Sequence, residues 1–279
     1  MSDIKTKHVL GLSGGKDSSA LAIYMAQNYS HLDIEYFTTD TGEELPEVYE
    51  YLNQMEGILG KTINRLDPQR DFQFYLKQYN NFLPSAQNRW CTVQLKLVPF
   101  EKWIENEFLN NGYKVYSYVA IRSDESYREG LKSKKNIETI LPFREDHIDK
   151  KGVIEILENA GLGLPKYYEW RSRSGCTFCF FQRKIEWVGL LEKHPESFEK
   201  AKKMEKTALD QGQPFTWSEN ESLEQLSQPE RIQQIKDDHQ KKLEIQSKKQ
   251  KINPLRPEKG LVDFDELYGQ QKVCLACHK

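Results

Sequence analysis

Two periods alternate along the first half of the chain. Short apolar runs, His8 to Leu12, Ile34 to Thr39, Lys61 to Leu66 and Tyr113 to Ile121, read as strands. Between them, apolar residues recur at helical spacing. One such stretch opens with Ala20, Leu21, Ile23 and Tyr24. The next, Pro46 to Leu59, carries Val48, Leu52 and Met55 and ends at Gly60, a helix-stopping residue. Asp71 to Pro84 is aromatic and amphipathic, Leu97 to Leu109 has a helical face through Val98, Trp103, Ile104 and Phe108, and Val153 to Asn159 is a short helix before Gly161. Strands alternating with helices predict an α/β domain with a parallel sheet and right-handed crossovers.

The pattern changes after Pro165. Tyr167, Tyr168 and Trp170 lead into a cysteine-bearing turn, and a helix follows through Ile185, Trp187, Val188, Leu190 and Leu191. Two polar helical stretches come next, Pro195 to Leu209 and Glu224 to Ile252, the second with a thin seam of Ile232, Ile235 and Leu243. We therefore expect two parts: an α/β nucleotide-binding domain over 1–165 and a mostly helical module over 166–279.

The 279 residues suffice for a sizeable core, and a net charge of −2 gives no bias toward polyanions, so any nucleic-acid contact must come from local patches. Lys132 to Lys135 and the lysines Lys241, Lys242, Lys248, Lys249 and Lys251 are such patches; a solvated face is the simpler reading of both. No apolar run reaches membrane-span length, and Met1 to Lys5 lacks a signal-peptide core, so a cytoplasmic, membrane-free protein is expected. In a reducing compartment its five cysteines read as metal or redox groups rather than disulfides.

The chemistry concentrates first at Ser13-Gly14-Gly15-Lys16-Asp17-Ser18. A strand, a glycine turn and a helix N-terminus aim backbone N–H groups at one spot, where the helix dipole adds partial positive charge. Lys16 adds a mobile cation, and Ser13 and Ser18 add hydroxyls. The natural guest is a phosphate. A P-loop is excluded, because Leu10 occupies its first glycine position and Asp17 follows the lysine; the dinucleotide fingerprint fails on glycine spacing. Gly11 to Gly15 spells a nucleophile elbow, but no strands precede it in the way that fold needs.

These six residues form the SGGxDS signature of the PP-loop, which resembles that of the adenine-nucleotide α-hydrolase superfamily. Within it the chain is similar to the phosphoadenosine-phosphosulfate (PAPS) reductase branch, with a flavour of the DndC-like proteins of DNA phosphorothioation and phage defence. The resemblance runs from about Val9 to Phe181. It implies a HUP-type, Rossmann-like parallel sheet flanked by helices, an ATP or adenylyl-sulfate ligand with Mg²⁺, and phosphates held by Ser13, Gly14, Gly15, Lys16, Asp17 and Ser18.

Three further elements add candidates. Asp40, in the turn after the second strand, is placed by the resemblance at the adenosine. Arg89 and Lys96 flank Cys91 and offer charge to phosphate or sulfate; neighbouring cations favour a thiolate. The stretch resembles the cysteine element of PAPS and adenylyl-sulfate reductases, although Thr92 stands where the latter carry a second cysteine. After the fourth strand, Arg122-Ser123-Asp124-Glu125-Ser126-Tyr127-Arg128 looks like the element that lies over the nucleotide in these relatives. There Arg122 and Arg128 would face phosphate, and Asp124 or Glu125 would orient them or Mg²⁺. Lys16, Cys91, Arg122, Asp124 and Arg128 are the catalytic candidates.

Cys176 and Cys179 form one C-x-x-C pair, Cys274 and Cys277 another. Four thiolates complete a shell for a [4Fe–4S] cluster or Zn²⁺, so this set is the expected metal site. A competing set is Cys91, Cys176 and Cys179, which echoes adenylyl-sulfate reductases and leaves an iron open for sulfide. Cys274 to His278 also spells a c-type haem motif, set aside for want of an export signal. The expected activity is ATP cleavage to AMP and pyrophosphate with adenylation of an acceptor, followed by sulfur transfer, with nucleic acid as one acceptor. Expected partners are a sulfur donor (a cysteine desulfurase or thioredoxin-like protein) or subunits of a defence complex. The rival readings are a PAPS or adenylyl-sulfate reductase and a nucleotide-sensing, non-catalytic subunit of a defence complex.

Overall fold

The computed structural model describes residues 5–125, 128, 135–173, 175–213 and 215–252, with 247–252 described as backbone. Cys274 and Cys277 lie outside the described residues, as do Lys132 to Lys134. Strand β1 (Thr6–Gly11) feeds helix α1 (Lys16–Asn28); β2 (Ile34–Thr39), α2 (Pro46–Leu59) and β3 (Ile63–Leu66) follow. Two short helices, α3 (Phe72–Gln78) and α4 (Trp90–Thr92), lead through a π-turn, Val93–Leu97, into α5 (Val98–Glu107). Then come β4 (Lys114–Tyr118), β5 (Ile137–Ile140), α6 (Pro142–Glu145) and α7 (Lys150–Asn159). Past a 3₁₀ turn at Lys166–Glu169 lie α8 (Lys184–Lys193), α9 (Pro195–Asp210), α10 (Leu223–Leu226) and α11 (Pro229–Ile252).

The strands form one parallel sheet in the order β3-β2-β1-β4-β5. The pleat sends alternate residues to opposite faces. Val9, Phe37 and Val115 therefore join Ile104 and Phe108 beneath α5, while Leu10, Tyr36 and Tyr118 join the larger core on the opposite face. That larger core is continuous from Leu10 through Phe178 and Trp187 to Ile235, so it packs the sheet and the helical module together. Among the described residues no helix is long and apolar enough to cross a membrane.

Three sequence expectations are corrected. β5 is a strand where none was expected, because four half-buried residues give too short a pattern to read. The stretch from Glu224 to Ile252 is two helices rather than one: Ser227 and Gln228 interrupt it before Pro229, which takes the first position of α11. The fourth strand is also shorter than Tyr113 to Ile121 and leaves Val119 to Arg122 as a strand-end loop.

The strand order reverses between β1 and β4, the topological switch point where ligands of open α/β sheets bind. The PP-loop leaves β1 at this crevice, and the Arg122 element leaves β4 beside it.

Candidate functional site

The PP-loop turn is built on Gly14, whose φ of +68° is open mainly to glycine and whose Cβ, if present, would lie 2.6 Å from Val48 Cγ1. Gly15 caps α1 with its extended backbone, and no side chain caps that end of the helix. The Ser13 N–H donates to Ser18 Oγ (3.2 Å), which sits 3.1 Å from Ser13 Oγ and donates to the Gly15 carbonyl (3.3 Å). The helical module closes on this turn. Buried Tyr167 donates its hydroxyl to the Gly14 carbonyl at 3.1 Å, and the Lys16 N–H points to the Tyr168 hydroxyl at 3.5 Å. Burial, reinforced by the Asp17 charge, raises the Tyr168 phenol well above its ordinary pKa and keeps it neutral.

Lys16 and Asp17 begin a buried charge network across the switch point. Lys16 Nζ donates to both Asp17 oxygens at 2.9 and 2.8 Å, and Arg122 Nη1 reaches Asp17 Oδ1 at 3.0 Å. The Arg122 guanidinium also grips Asp124 with two bonds, 2.8 and 3.0 Å. Arg128 Nη1 donates to both Glu125 oxygens at 3.0 Å. Burial opposes the charge on Arg122, but Asp17, Asp124 and Glu125 outweigh it and raise its pKa. Three cations, Lys16, Arg122 and Arg128, thus face three carboxylates, Asp17, Asp124 and Glu125. Of the six, Asp124 reaches farthest toward water, its side chain 42% exposed. Arg144, which sequence reasoning left without a role, props the element by donating to the carbonyls of Glu125 and Arg128. Asp40 accepts from the Gly42 N–H (2.9 Å) and the Tyr49 hydroxyl (2.8 Å), which fixes the turn after β2.

A second cluster forms on the same wall. The first C-x-x-C loop pairs with the turn between β2 and α2. Leu45 N–H donates to the Gly175 carbonyl at 2.8 Å and Thr177 N–H to the Glu43 carbonyl at 2.7 Å, an antiparallel bridge between Glu44 and Cys176. Phe178 buries itself against Phe72 and Trp217, and Arg171, almost fully buried, donates to the Thr177 carbonyl at 3.3 Å. Lys200 spans Glu43, at 2.6 and 2.7 Å, and the Phe178 ring.

Cys176 there lies within electrostatic reach of Cys91, Cys179, Glu44 and Lys96. Burial, then the Glu44 charge, pushes its thiol pKa well above the ordinary value, with Lys96 opposing. Lys96 Nζ stands 3.7 Å from Glu44, so it serves the cysteine cluster. It lies on the π-turn, a helix irregularity frequent at functional sites. Arg89 donates to the Ala86 carbonyl and lies over the Phe181 ring. The structure thus brings Cys91 to Cys176 and Cys179. Among the described residues no three His, Cys, Asp or Glu side chains are disposed as a finished metal-ligand set. Glu44 and the two tyrosines were missed from the sequence. The aromatic run before the C-x-x-C pair was the available signal for the tyrosines; Glu44 left none.

Residues 7–139 match the family model described as the phosphoadenosine phosphosulfate reductase domain. An uncharacterized protein of Methanocaldococcus jannaschii is 32% identical over 131 residues, 47% of this chain and 26% of that protein. This chain therefore spans about a quarter of the archaeal relative's length. An uncharacterized nin region protein, ORF290, of Escherichia phage lambda is 24% identical over 222 residues, 69% of this chain and 72% of that protein. Among solved structures, a phosphoadenylyl-sulfate reductase from Candida auris, as a phosphate complex, has a TM-score of 0.47 at 12% identity, covering 61% of this chain and 81% of that one. The U34-tRNA thiolase NcsA from Methanococcus maripaludis, with its [4Fe-4S] cluster, has a TM-score of 0.43 at 15% identity, covering 81% of this chain and 82% of that one.

Proposed function

With residues 7–139 a PAPS reductase-type domain of the PP-loop superfamily, we propose that this protein is an ATP-dependent adenylating enzyme that prepares an acceptor for sulfur transfer. One observation carries the reading: the C-x-x-C loop is hydrogen-bonded to the β2–α2 turn, and Val48, in the first turn of α2, packs against the PP-loop, so thiols and phosphate cradle share a wall.

ATP sits with its β- and γ-phosphates on the N–H groups of Ser13 to Ser18. The charge network is balanced without it, so ATP arrives with Mg²⁺. Asp17 and Asp124 are the carboxylates to hold that ion, and doing so frees Lys16 and Arg122 for the phosphates. An acceptor oxygen attacks the α-phosphorus, the bond to the β-phosphate breaks, and pyrophosphate leaves into the cradle. Stabilising that leaving charge with preorganised N–H groups, Lys16 and the arginines is the main catalytic contribution. The terminal sulfur of a donor persulfide then attacks the adenylated acceptor and AMP leaves; a second thiol of the donor or of a thioredoxin-like protein cleaves the resulting acceptor–S–S–Cys disulfide and is itself oxidised to a disulfide. The sulfur comes from a donor protein, a cysteine desulfurase or thioredoxin-like partner, and a nucleic acid is the acceptor. A DNA-modification or phage-defence setting in the cytoplasm, with further subunits, belongs to the same reading.

Cys91, Cys176 and Cys179 suit an iron–sulfur cluster in donor type. A thiol that burial keeps protonated is ionised once it ligates metal, which turns an awkward buried group into a favourable one. Held by these three thiolates, a cluster would keep one coordination position that could take sulfide, and Cys274 or Cys277 would close it, with Zn²⁺ the alternative ion. The test is incubation of full-length protein with α-labelled ATP and Mg²⁺, with and without nucleic acid. AMP and pyrophosphate support the reading, and ADP or no turnover sinks it.

The match to the reductase domain favours a second reading, reduction of PAPS or adenylyl sulfate. It needs a nucleophilic cysteine, for which Cys274 or Cys277 is the candidate, and ligation of both to a metal would exclude it. Sulfite release from PAPS with a thiol donor would establish it. A nucleotide-sensing subunit would instead bind ATP without cleaving it.

A further inference from the structure

Beyond the cysteine loop lies a cavity of about 470 Å³ that neither reading uses, within the range of small-ligand sites. It opens between the residues that follow Cys179, the start of α8 and one face of α11. Phe180 and Phe181 line it side by side, their ring centroids 4.4 Å apart, with Trp217 behind them and Arg89 stacked over Phe181.

Four lining side chains are cationic, Arg183, Lys184, Arg231 and Lys242, against two carboxylates, Glu219 and Asp238. With Glu221 beside them the balance is four cations to three carboxylates, in a chain of net charge −2. Glu221 holds two of the cations, pairing with Lys184 at 2.7 Å and with Arg231. His239 also lines the cavity, and burial lowers its pKa, so its ring is neutral at neutral pH. Aromatic faces beside cations and a neutral hydrogen-bonding ring suit an unstacked base with its phosphate.

We propose that this cavity seats one nucleotide of a single-stranded nucleic acid, its base against Phe180 and Phe181 and its phosphate toward Arg231 and Lys242. The proposal rests on the sulfur-transfer reading only in taking that strand as the acceptor. A duplex is disfavoured, because its bases must leave the stack to enter a cavity.

The test uses full-length protein and fluorescein-labelled single-stranded RNA, single-stranded DNA of the same sequence and duplex DNA, read by anisotropy at several salt concentrations. Single strands should bind more tightly than duplex or free mononucleotides, and the RNA and DNA arms identify the sugar. Phe181→Leu keeps apolar bulk but removes the π-face, and should weaken strand binding about tenfold. Lys242→Ala should lower the salt slope by about one. ATP binding by both variants should match wild type. Thio-substituted strands should photocrosslink within Phe180–Lys184 or Arg231–Lys242. Wild-type protein that binds ATP but no single strand overturns the cavity proposal and leaves the adenylation reading standing. Strand binding unmoved by both substitutions, or crosslinks confined elsewhere, also overturns it. Strand binding through these residues with no AMP formed keeps the cavity site and removes the adenylation reading.

Discussion

Val48 touches both halves of the proposed site, and that contact can be tested by substitution and rescue. A Cβ placed on Gly175 would lie 2.0 Å from Val48 Cγ2, with Val48 Cβ next at 3.4 Å and Glu44 Oε2 at 3.6 Å. Gly175→Ala therefore overlaps one methyl group and nothing else. Overpacking of this kind costs about 1–3 kcal/mol. Val48 is 1% exposed, so Val48→Ala alone loses about 1.6 kcal/mol for two buried methyls, plus a cavity contribution. In the double variant the obstructing methyl is gone and the new one occupies its space. The pair should be more stable than the sum of the singles by about 2 kcal/mol, measured by urea unfolding in a double-mutant cycle. Gly14 supplies the control. Its Cβ would also meet Val48, at 2.6 Å, but its φ is +68°. Val48→Ala removes that contact and not the backbone strain, so Gly14→Ala should keep a penalty of about 1–2 kcal/mol in the Val48→Ala background. Strict additivity for Gly175→Ala, or full rescue of Gly14→Ala, would refute the reasoning.

Three further outcomes are expected. Tyr167→Phe removes one buried hydrogen bond to the Gly14 carbonyl and should cost about 1 kcal/mol while weakening ATP binding in calorimetry; unchanged affinity would mean the tyrosine supports only the module. Arg122→Lys gives up the two-pronged grip on Asp124 and the contact with Asp17, so stability should fall by about 1–3 kcal/mol and pyrophosphate release should drop with it; a variant with wild-type turnover would remove Arg122 from the chemistry. His8, whose pKa burial lowers from the ordinary 6.5, sits 2.8 Å from the Tyr118 hydroxyl. Its contribution to stability is present above pH 6.5 and is lost as pH falls from there through the depressed value. The loss of Tm on acidification should be smaller in His8→Gln than in wild type, and equal losses would acquit this histidine.

The nucleotide half of the site was legible because its signals are local. A strand, two glycines and a helix start suffice to read the PP-loop, and Pro46 and Gly60 bracket α2 as helix punctuation should. The cysteine half was only half legible. Spacing links Cys176 to Cys179, but only the family resemblance links either to Cys91, more than eighty residues upstream. Backbone pairing sets Cys176 beside Glu44, and such pairing leaves no trace in side-chain type. Arg144 escaped for a similar reason: it acts by donating to carbonyls, which every residue carries. β5 escaped because an edge strand of four half-buried residues lacks the alternation that marks a longer one.

The turn between β2 and α2 is what makes the two clusters one site. Glu43 and Leu45 hold the cysteine loop by backbone bonds, Glu44 sets the charge beside Cys176, and Val48, one turn into α2, packs on Gly14 and Gly175 alike. Interiors packed this closely do not deform smoothly. A shift of Gly14 toward a bound phosphate must therefore be accommodated by Val48, and Val48 has Gly175 on its other side. The tyrosines close the loop of contacts, since Tyr167 grips Gly14 from the module that carries the cysteines. Phosphate occupancy and cysteine position are in this way coupled through two short routes, one apolar and one hydrogen-bonded. Both pass through Gly14, so a perturbation there should reach the thiols more strongly than an equal one at Ser13 or Ser18.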